Sequence, residues 1–323
     1  MTRVVALAGG VGGAKVAFGL DRALAAMGGA AGLTVIVNTA DDLELHGLHV
    51  SPDLDTVMYT LAGLADRERG WGLTAETWQA LRMLERYGAE TWFKLGDRDL
   101  ATHVRRTARL AEGVPLSVVT AELASALGVD TTLLPMSDDR VRTRLRTEAG
   151  WLDFQDWFVR RRQVDRVTEI SIEGVEASRP APGVRKAIAA AALVVVCPSN
   201  PLVSVAPILA VPGIREALLG APAPVVAVSP IVAGRALRGP ADRMLGWLGI
   251  EVSAAGVAQL YVERYPRLLD GFAIDRQDEA TAGRIEALGL RVLVADAVMD
   301  SDETRIALAR AVLEWGLSLP RRA

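Results

Sequence analysis

A short apolar run that breaks at a cluster of glycines and resumes as an amphipathic segment leaves few folds open to this chain. Arg3 to Ala8 is a β-branched and small apolar stretch, followed directly by Gly9-Gly10-Val11-Gly12-Gly13 and then by an apolar-periodic segment from Ala14 to Met27. The order reads as buried strand, glycine loop and helix. Leu33-Thr34-Val35-Ile36-Val37 repeats the buried-strand pattern and opens into the polar loop Asn38-Thr39-Ala40-Asp41-Asp42. Parallel α/β sheets bind their ligands at such strand ends.

Helical patterns dominate from Leu54 to about Gly128, among them Ala75 to Tyr87 and Asp99 to Glu112, with no convincing strand between them. Val141 to Phe154 and Val167 to Val175 alternate residue types and predict antiparallel β structure. From Pro182 the alternation of strand and helix returns, with buried strands at Leu193 to Val196, Val225 to Val228 and Arg291 to Ala295. A final helix spans about Asp302 to Trp315 and carries acidic residues in its first turn. The expected fold is α/β, a doubly wound, mostly parallel Rossmann-like sheet with a helical and antiparallel β insertion. Residues 1–55 and 181–323 form the core, and 56–180 the elaboration.

The chain has 323 residues, half of them hydrophobic and 23% charged, and no charge-free apolar run reaches the roughly 18–20 residues that span a bilayer. The N-terminus lacks the basic region and cleavage site of a signal peptide, so a cytoplasmic location is expected. Cys197 is the single cysteine, which excludes an intrachain disulfide and any cysteine-built zinc cage. A net charge of −3 gives no electrostatic footprint for nucleic acid.

Gly9 to Lys15 suits an anion, because glycine lets main-chain amides approach it at a helix N-terminus. The segment lacks the third glycine of the dinucleotide fingerprint, and Val16 stands where a Walker A loop needs Ser or Thr. A plain strand-to-helix turn is the other reading. Asp41, Asp42, Asp53 and Asp55 form a second cluster around His46 and His49. They are either solvated loop acids, with Asp53 capping a helix, or hard oxygen donors for Mg²⁺, with Asp41 and Asp55 the preferred pair. The histidines lack metal spacing and are expected to shape the loop.

Trp92-Phe93-Lys94-Leu95-Gly96-Asp97-Arg98-Asp99 reads equally as a binding segment and as a helix start capped by Asp97 or Asp99. Arg160-Arg161-Arg162 reads first as a solvated face and second as a basic cluster that gathers anionic substrates, and Cys197 reads as a small buried thiol. Pro198-Ser199-Asn200-Pro201 and Ser229-Pro230-Ile231 present polar groups at strand ends. Together with the loop after Val37 they predict a nucleotide crevice along one sheet edge.

At these residues the chain resembles the 2-phospho-L-lactate transferases and their phosphoenolpyruvate-using bacterial counterparts in coenzyme F420 biosynthesis. The most specific segments are Pro52-Asp53-Leu54-Asp55-Thr56 and Leu95-Gly96-Asp97-Arg98-Asp99. The resemblance implies transfer of a phosphate-linked lactyl or enolpyruvyl group from a guanosine-diphosphate-type donor to the ribityl hydroxyl of the flavin-like precursor Fo. GMP is released with Mg²⁺ assistance. Carried over, Asp55 and Lys94 match Fo-contacting positions, and Asp41 with Asp55 the metal-binding ones; some relatives resemble an Arg at Lys94. Gly10, Gly12, Gly13 and Lys15, with Ser199, Asn200, Ser204 and Ser229, match the donor side. A homodimer is implied as well. Two rivals are a sugar-nucleotide-binding regulator, which resembles a Gly/Ser-rich continuation where Leu43-Glu44-Leu45-His46-Gly47 stands here, and a nicotinamide-dependent oxidoreductase.

Overall fold

The computed structural model describes residues 2–28 and 31–322. Seven parallel strands form its central sheet, in the order Arg291–Ala295, Gly271–Asp275, Val225–Val228, Leu193–Val196, Arg3–Ala8, Gly32–Val37 and Thr132–Pro135. From Arg3–Ala8 the chain winds outward in one direction, then returns to pair Leu193–Val196 on the other side of the same strand. The strand order therefore reverses between these two. A crevice opens there, outside the carboxyl ends of the strands.

Both faces of the sheet are covered. Val5, Leu7, Val194 and Val196 point into one apolar core, and Val4, Ala6, Ala8, Leu193 and Val195 into the other. This is the period-2 alternation of a strand, with hydrophobic residues on both sides. On the second face helix Gly10–Ala26 packs between Pro52–Leu61 and the final helix Asp302–Ser318. Gly19 permits the closeness of the last contact, since a Cβ there would lie 2.8 Å from that of Ala309.

The glycine cluster is not a loop before the helix. Helix Gly10–Ala26 begins inside it, with Gly9 extended at the N-cap and Gly10 at φ +60°. The expected helices fall at Gln79–Arg86 and Asp97–Ala111, and a further one at Leu116–Ala126. Neither Asp97 nor Asp99 caps its own helix. Asp97 instead accepts the N–H groups of Gln79 and Ala80, while Glu76 accepts those of Arg98 and Asp99, so two helix starts cap each other.

The antiparallel element is a three-stranded sheet, Gly150–Asp153, Arg142–Thr147 and Glu169–Glu173. Two strands of the central sheet and a hairpin were not expected from sequence. Gly271–Asp275 and Thr132–Pro135 belong to the central sheet, so the 56–180 span contributes a core strand as well as the elaboration. Leu43–Leu45 and Leu48–Val50 form a hairpin in the acidic loop. No helix among the described residues is long and apolar enough to cross a membrane.

Candidate active site

A cavity of about 820 Å³ occupies the crevice. Gly10, Gly12 and Lys15 line it from the first helix, Asp41 and Asp53 from its floor, and Lys94 from the opposite wall. Ser199, Asn200, Ser204 and Ser229 complete the side formed by the later strand ends. Gly13 and Asp55 do not reach it.

The displacement of Asp55 follows from helix geometry. Asp53 and Asp55 lie two residues apart in the first turn of Pro52–Leu61, about 200° around the axis, so their carboxylates leave on opposite sides. Asp53 faces the cavity. Asp55, 4% exposed, is gripped at both oxygens by the Arg106 guanidinium, one contact measuring 3.0 Å. The acid pair on the cavity is thus Asp41 with Asp53, and not the expected Asp41 with Asp55.

Asn38 holds that pair together. Its Nδ2 donates to Asp41 Oδ2 at 3.1 Å and to Asp53 Oδ2 at 2.9 Å, and the Gly10 N–H donates to Asp53 Oδ1 at 2.8 Å. The Thr143 hydroxyl lies beside Asp41 and favours its charged form, but Asp41 Oδ1 makes no hydrogen bond of full geometry. Burial, and then the adjacent Asp53 charge, hold the Asp41 carboxyl well above the usual carboxylate range. Asp53 is pushed up to about 6, mainly by burial, against the opposing pull of Asn38 and Gly10.

Two buried carboxylates, one with an oxygen that lacks a full hydrogen bond, open to a cavity and are a donor set that fits a hard divalent cation such as Mg²⁺. No group of three or more potential metal-ligating His, Cys, Asp or Glu side chains occurs among the described residues. Mg²⁺ characteristically fills such a shell with water and ligand phosphate oxygens.

The glycines serve the loop as well as a ligand. A Cβ at Gly12 would clash with the Pro198 carbonyl, one at Gly13 would lie 2.7 Å from Ser199 Oγ, and one at Gly9 2.7 Å from Asp53 Oδ2. Ser199 Oγ accepts the Gly9 N–H at 3.0 Å and donates to the Gly9 carbonyl at 2.8 Å. Asn200 accepts from the Leu202 N–H, and Ser229 Oγ closes its own turn on Ile231. Lys15 Nζ donates to the Met299 carbonyl at 2.5 Å; burial, with Arg305 and Arg238 nearby, lowers its pKa. Lys15 and the first turn of its helix line the same cavity, and both a cation and a helix start favour an anion there.

Arg69, Trp71, Phe158 and Arg238 line the cavity but escaped the sequence reading, as did the site role of Phe154. Arg69 lies over Trp71 at 5.3 Å and Trp78 at 5.1 Å, and reaches the cavity with Arg238. Phe154 stacks on Phe158 at 5.3 Å, and Trp92 meets Phe93 edge-on at 5.7 Å, giving flat apolar surface beside Lys94. The arginine run is split: Arg160 and Arg162 line the cavity, whereas Arg161 pairs with Asp165. Both π-helical turns, Asp156–Arg160 and Pro201–Val205, border the cavity, which is where such turns concentrate. Trp92 and Phe93 were legible as a binding segment, whereas only the aromatic content of Phe154 to Phe158 hinted at the rest of this wall. His49 pairs with Asp42 at 3.0 Å, and Cys197 is buried and held protonated, as expected of both.

The sequence profile of the family described as 2-phospho-L-lactate transferase CofD matches residues 4–309. The chain belongs to this family. Among similar proteins, a phosphoenolpyruvate transferase of Kitasatospora aureofaciens is 46% identical over 316 residues, covering 96% of this chain and 97% of the relative. Another from Streptomyces griseus is 46% identical over 317 residues, covering 97% and 98%. As a CofD-family member the chain is a transferase, which removes the regulator and the oxidoreductase as readings. In fold it is similar to a UPF0052-family protein of Bacillus halodurans, with a TM-score of 0.65 at 17% identity, covering 97% of this chain and 99% of that one.

Proposed function

We propose that the enzyme transfers a phosphoenolpyruvyl group from a guanosine-diphosphate-linked donor to the terminal ribityl hydroxyl of Fo, yielding dehydro-coenzyme F420-0 and GMP. The observation that carries this reading is the convergence of a glycine-started helix, the Asp41–Asp53 pair and the aromatic wall with Lys94 on one cavity. Its two sides differ in chemistry. Main-chain amides and Lys15 suit a diphosphate, and flat apolar surface beside an ammonium suits a tricyclic ring with acidic oxygens.

In the reaction the hydroxyl oxygen attacks the phosphorus that carries the enolpyruvyl group. The bond from that phosphorus to the bridging oxygen breaks, and GMP leaves with its electron pair. Asp53 accepts the hydroxyl's hydrogen bond, aligns it for attack and takes up its proton. Asp41 and Asp53 would also hold a divalent cation, which supplies charge neutralisation for the diphosphate. The first turn of helix Gly10–Ala26 and Lys15 orient the donor, and Lys94 with Trp92 and Phe93 holds the ring. Roles that the family likeness assigned to Asp55 thereby pass to Asp53.

The choice of phosphoenolpyruvate over 2-phospholactate is supported by the names of the two relatives above. Lys94→Ala tests the acceptor side. It is expected to weaken Fo binding about tenfold, read by fluorescence quenching, with donor affinity unchanged. Unchanged Fo affinity would remove Lys94 from the site.

A further inference from the structure

Helix Asp97–Ala111 runs behind the acid pair and contacts both chain segments that carry it. Arg106 and Asp55 form their two-pronged ion pair with Arg106 only 1% exposed. The next residue, Thr107, accepts the His49 N–H at its Oγ1 at 2.8 Å. His49 Nε2 in turn lies 3.0 Å from Asp42 Oδ2, which also accepts from Ser51 Oγ at 2.8 Å. Asp42 adjoins Asp41, and Asp55 sits two residues beyond Asp53.

The network continues inward. His103 Nδ1 lies 3.2 Å from Arg106, its Nε2 lies 3.3 Å from Asp99, and Asp99 accepts the Tyr59 hydroxyl at 2.8 Å. None of Asp55, Tyr59, Asp99, His103 and Arg106 lines the cavity. Burying two charges incurs a desolvation penalty that well-packed apolar side chains of similar volume avoid, so stability alone does not account for them. What a forked guanidinium on a carboxylate adds is a fixed direction. Here it fixes the rotational phase of helix Pro52–Leu61, and hence where Asp53 points. Such sites need their groups placed to within about 0.5 Å and 10–20°.

We infer that Arg106, acting through Asp55, is a positioning residue that sets Asp53 against Asp41 and thereby tunes the cation affinity of the pair. The inference rests on the reading of Asp41 and Asp53 as a cation site. Thr107 supports Asp41 in the same way through His49 and Asp42.

The test is Mn²⁺ binding by the full chain, followed by electron paramagnetic resonance, without any substrate. Arg106→Lys keeps the charge and loses the fork; its Mn²⁺ Kd is expected to rise about tenfold, with an altered line shape for the bound ion. The paired change Asp55→Asn with Arg106→Gln leaves no unpaired buried charge and is expected to act likewise, which covers the case in which Arg106→Lys fails to fold. Arg109→Ala, on the same helix as Arg106, is the control: it removes ion pairs with Glu112 at the helix C-cap and Glu122 on helix Leu116–Ala126 and is expected to leave Mn²⁺ binding unchanged. Wild-type Kd in the folded Arg106 variants, while Asp53→Asn loses the ion, would overturn the inference. Equal weakening by Arg109→Ala would do so too, by showing general loosening of the helix. Wild-type affinity in Asp53→Asn would instead defeat the cation reading itself, and the inference with it.

Discussion

Asp53 and Asp55 carry the same functional group two residues apart, and their environments give them opposite thermodynamic signs. Asp55→Asn strips a buried Arg106 of its partner, and a loss of about 3–5 kcal/mol in urea unfolding is expected. Asp53→Asn removes a carboxylate that burial already destabilises, so the cation-free protein is expected to be no less stable while turnover falls about 10²-fold or more. The pH dependence follows from the same shift. With a folded pKa of about 6 above the ordinary carboxylate value, Asp53 favours the native state at low pH, and that stability is lost as pH rises through about 6. Mg²⁺ should therefore raise Tm more at pH 7.5 than at pH 5 in thermal scans against EDTA; an equal effect at both would separate the ion from these carboxylates. Asp41 was legible in sequence because it follows a buried strand. The choice between Asp53 and Asp55 was not, since it depends on how the first turn of Pro52–Leu61 is rotated against Gly10 and Arg106.

At the level of elements, the strand–glycine–helix opening was readable because hydrophobic period and glycine punctuation agree. What sequence pattern did not separate was whether the glycines serve a ligand or the backbone of the neighbouring loop. Gly12→Ala is expected to cost about 1–3 kcal/mol through overpacking against Pro198 and to weaken nucleotide binding, measured by urea unfolding and calorimetry. Gly32→Ala is the contrast, with open space at its Cβ, and is expected to be neutral or slightly stabilising. The two central-sheet strands and the hairpin that the sequence pattern missed each carry turn-type residues that mask the strand period. Thr132–Pro135 has four residues, sits at the sheet edge and ends in proline, where a missing N–H is tolerated. Gly271–Asp275 opens on a glycine packed beneath the Trp315 ring, so its pattern looks like a turn. The Leu43–Val50 hairpin turns at His46 and Gly47, with φ of +53° and +74°, a two-residue turn whose usual asparagine is replaced by histidine.

For the molecule as a whole, the sheet topology could be anticipated but not the closing of the cavity. Phe154, Phe158, Arg160 and Arg162 come from the elaboration, and sequence alone does not show that it folds back over the crevice of the core sheet. The cavity consequently joins parts of the chain more than 200 residues apart, from Gly10 to Met299. The homodimer proposed from family likeness predicts a light-scattering mass of twice 34.4 kDa at micromolar concentration, and a monomer would remove it. The central claim is the transfer itself. Purified protein incubated with Fo, Mg²⁺ and separately the enolpyruvyl and lactyl guanosine-diphosphate donors should be followed by mass spectrometry together with GMP quantitation. The account predicts a phosphoenolpyruvyl-Fo adduct and GMP in equal amounts, with the enolpyruvyl donor strongly preferred. Absence of both products, or a dominant lactyl adduct, would contradict it.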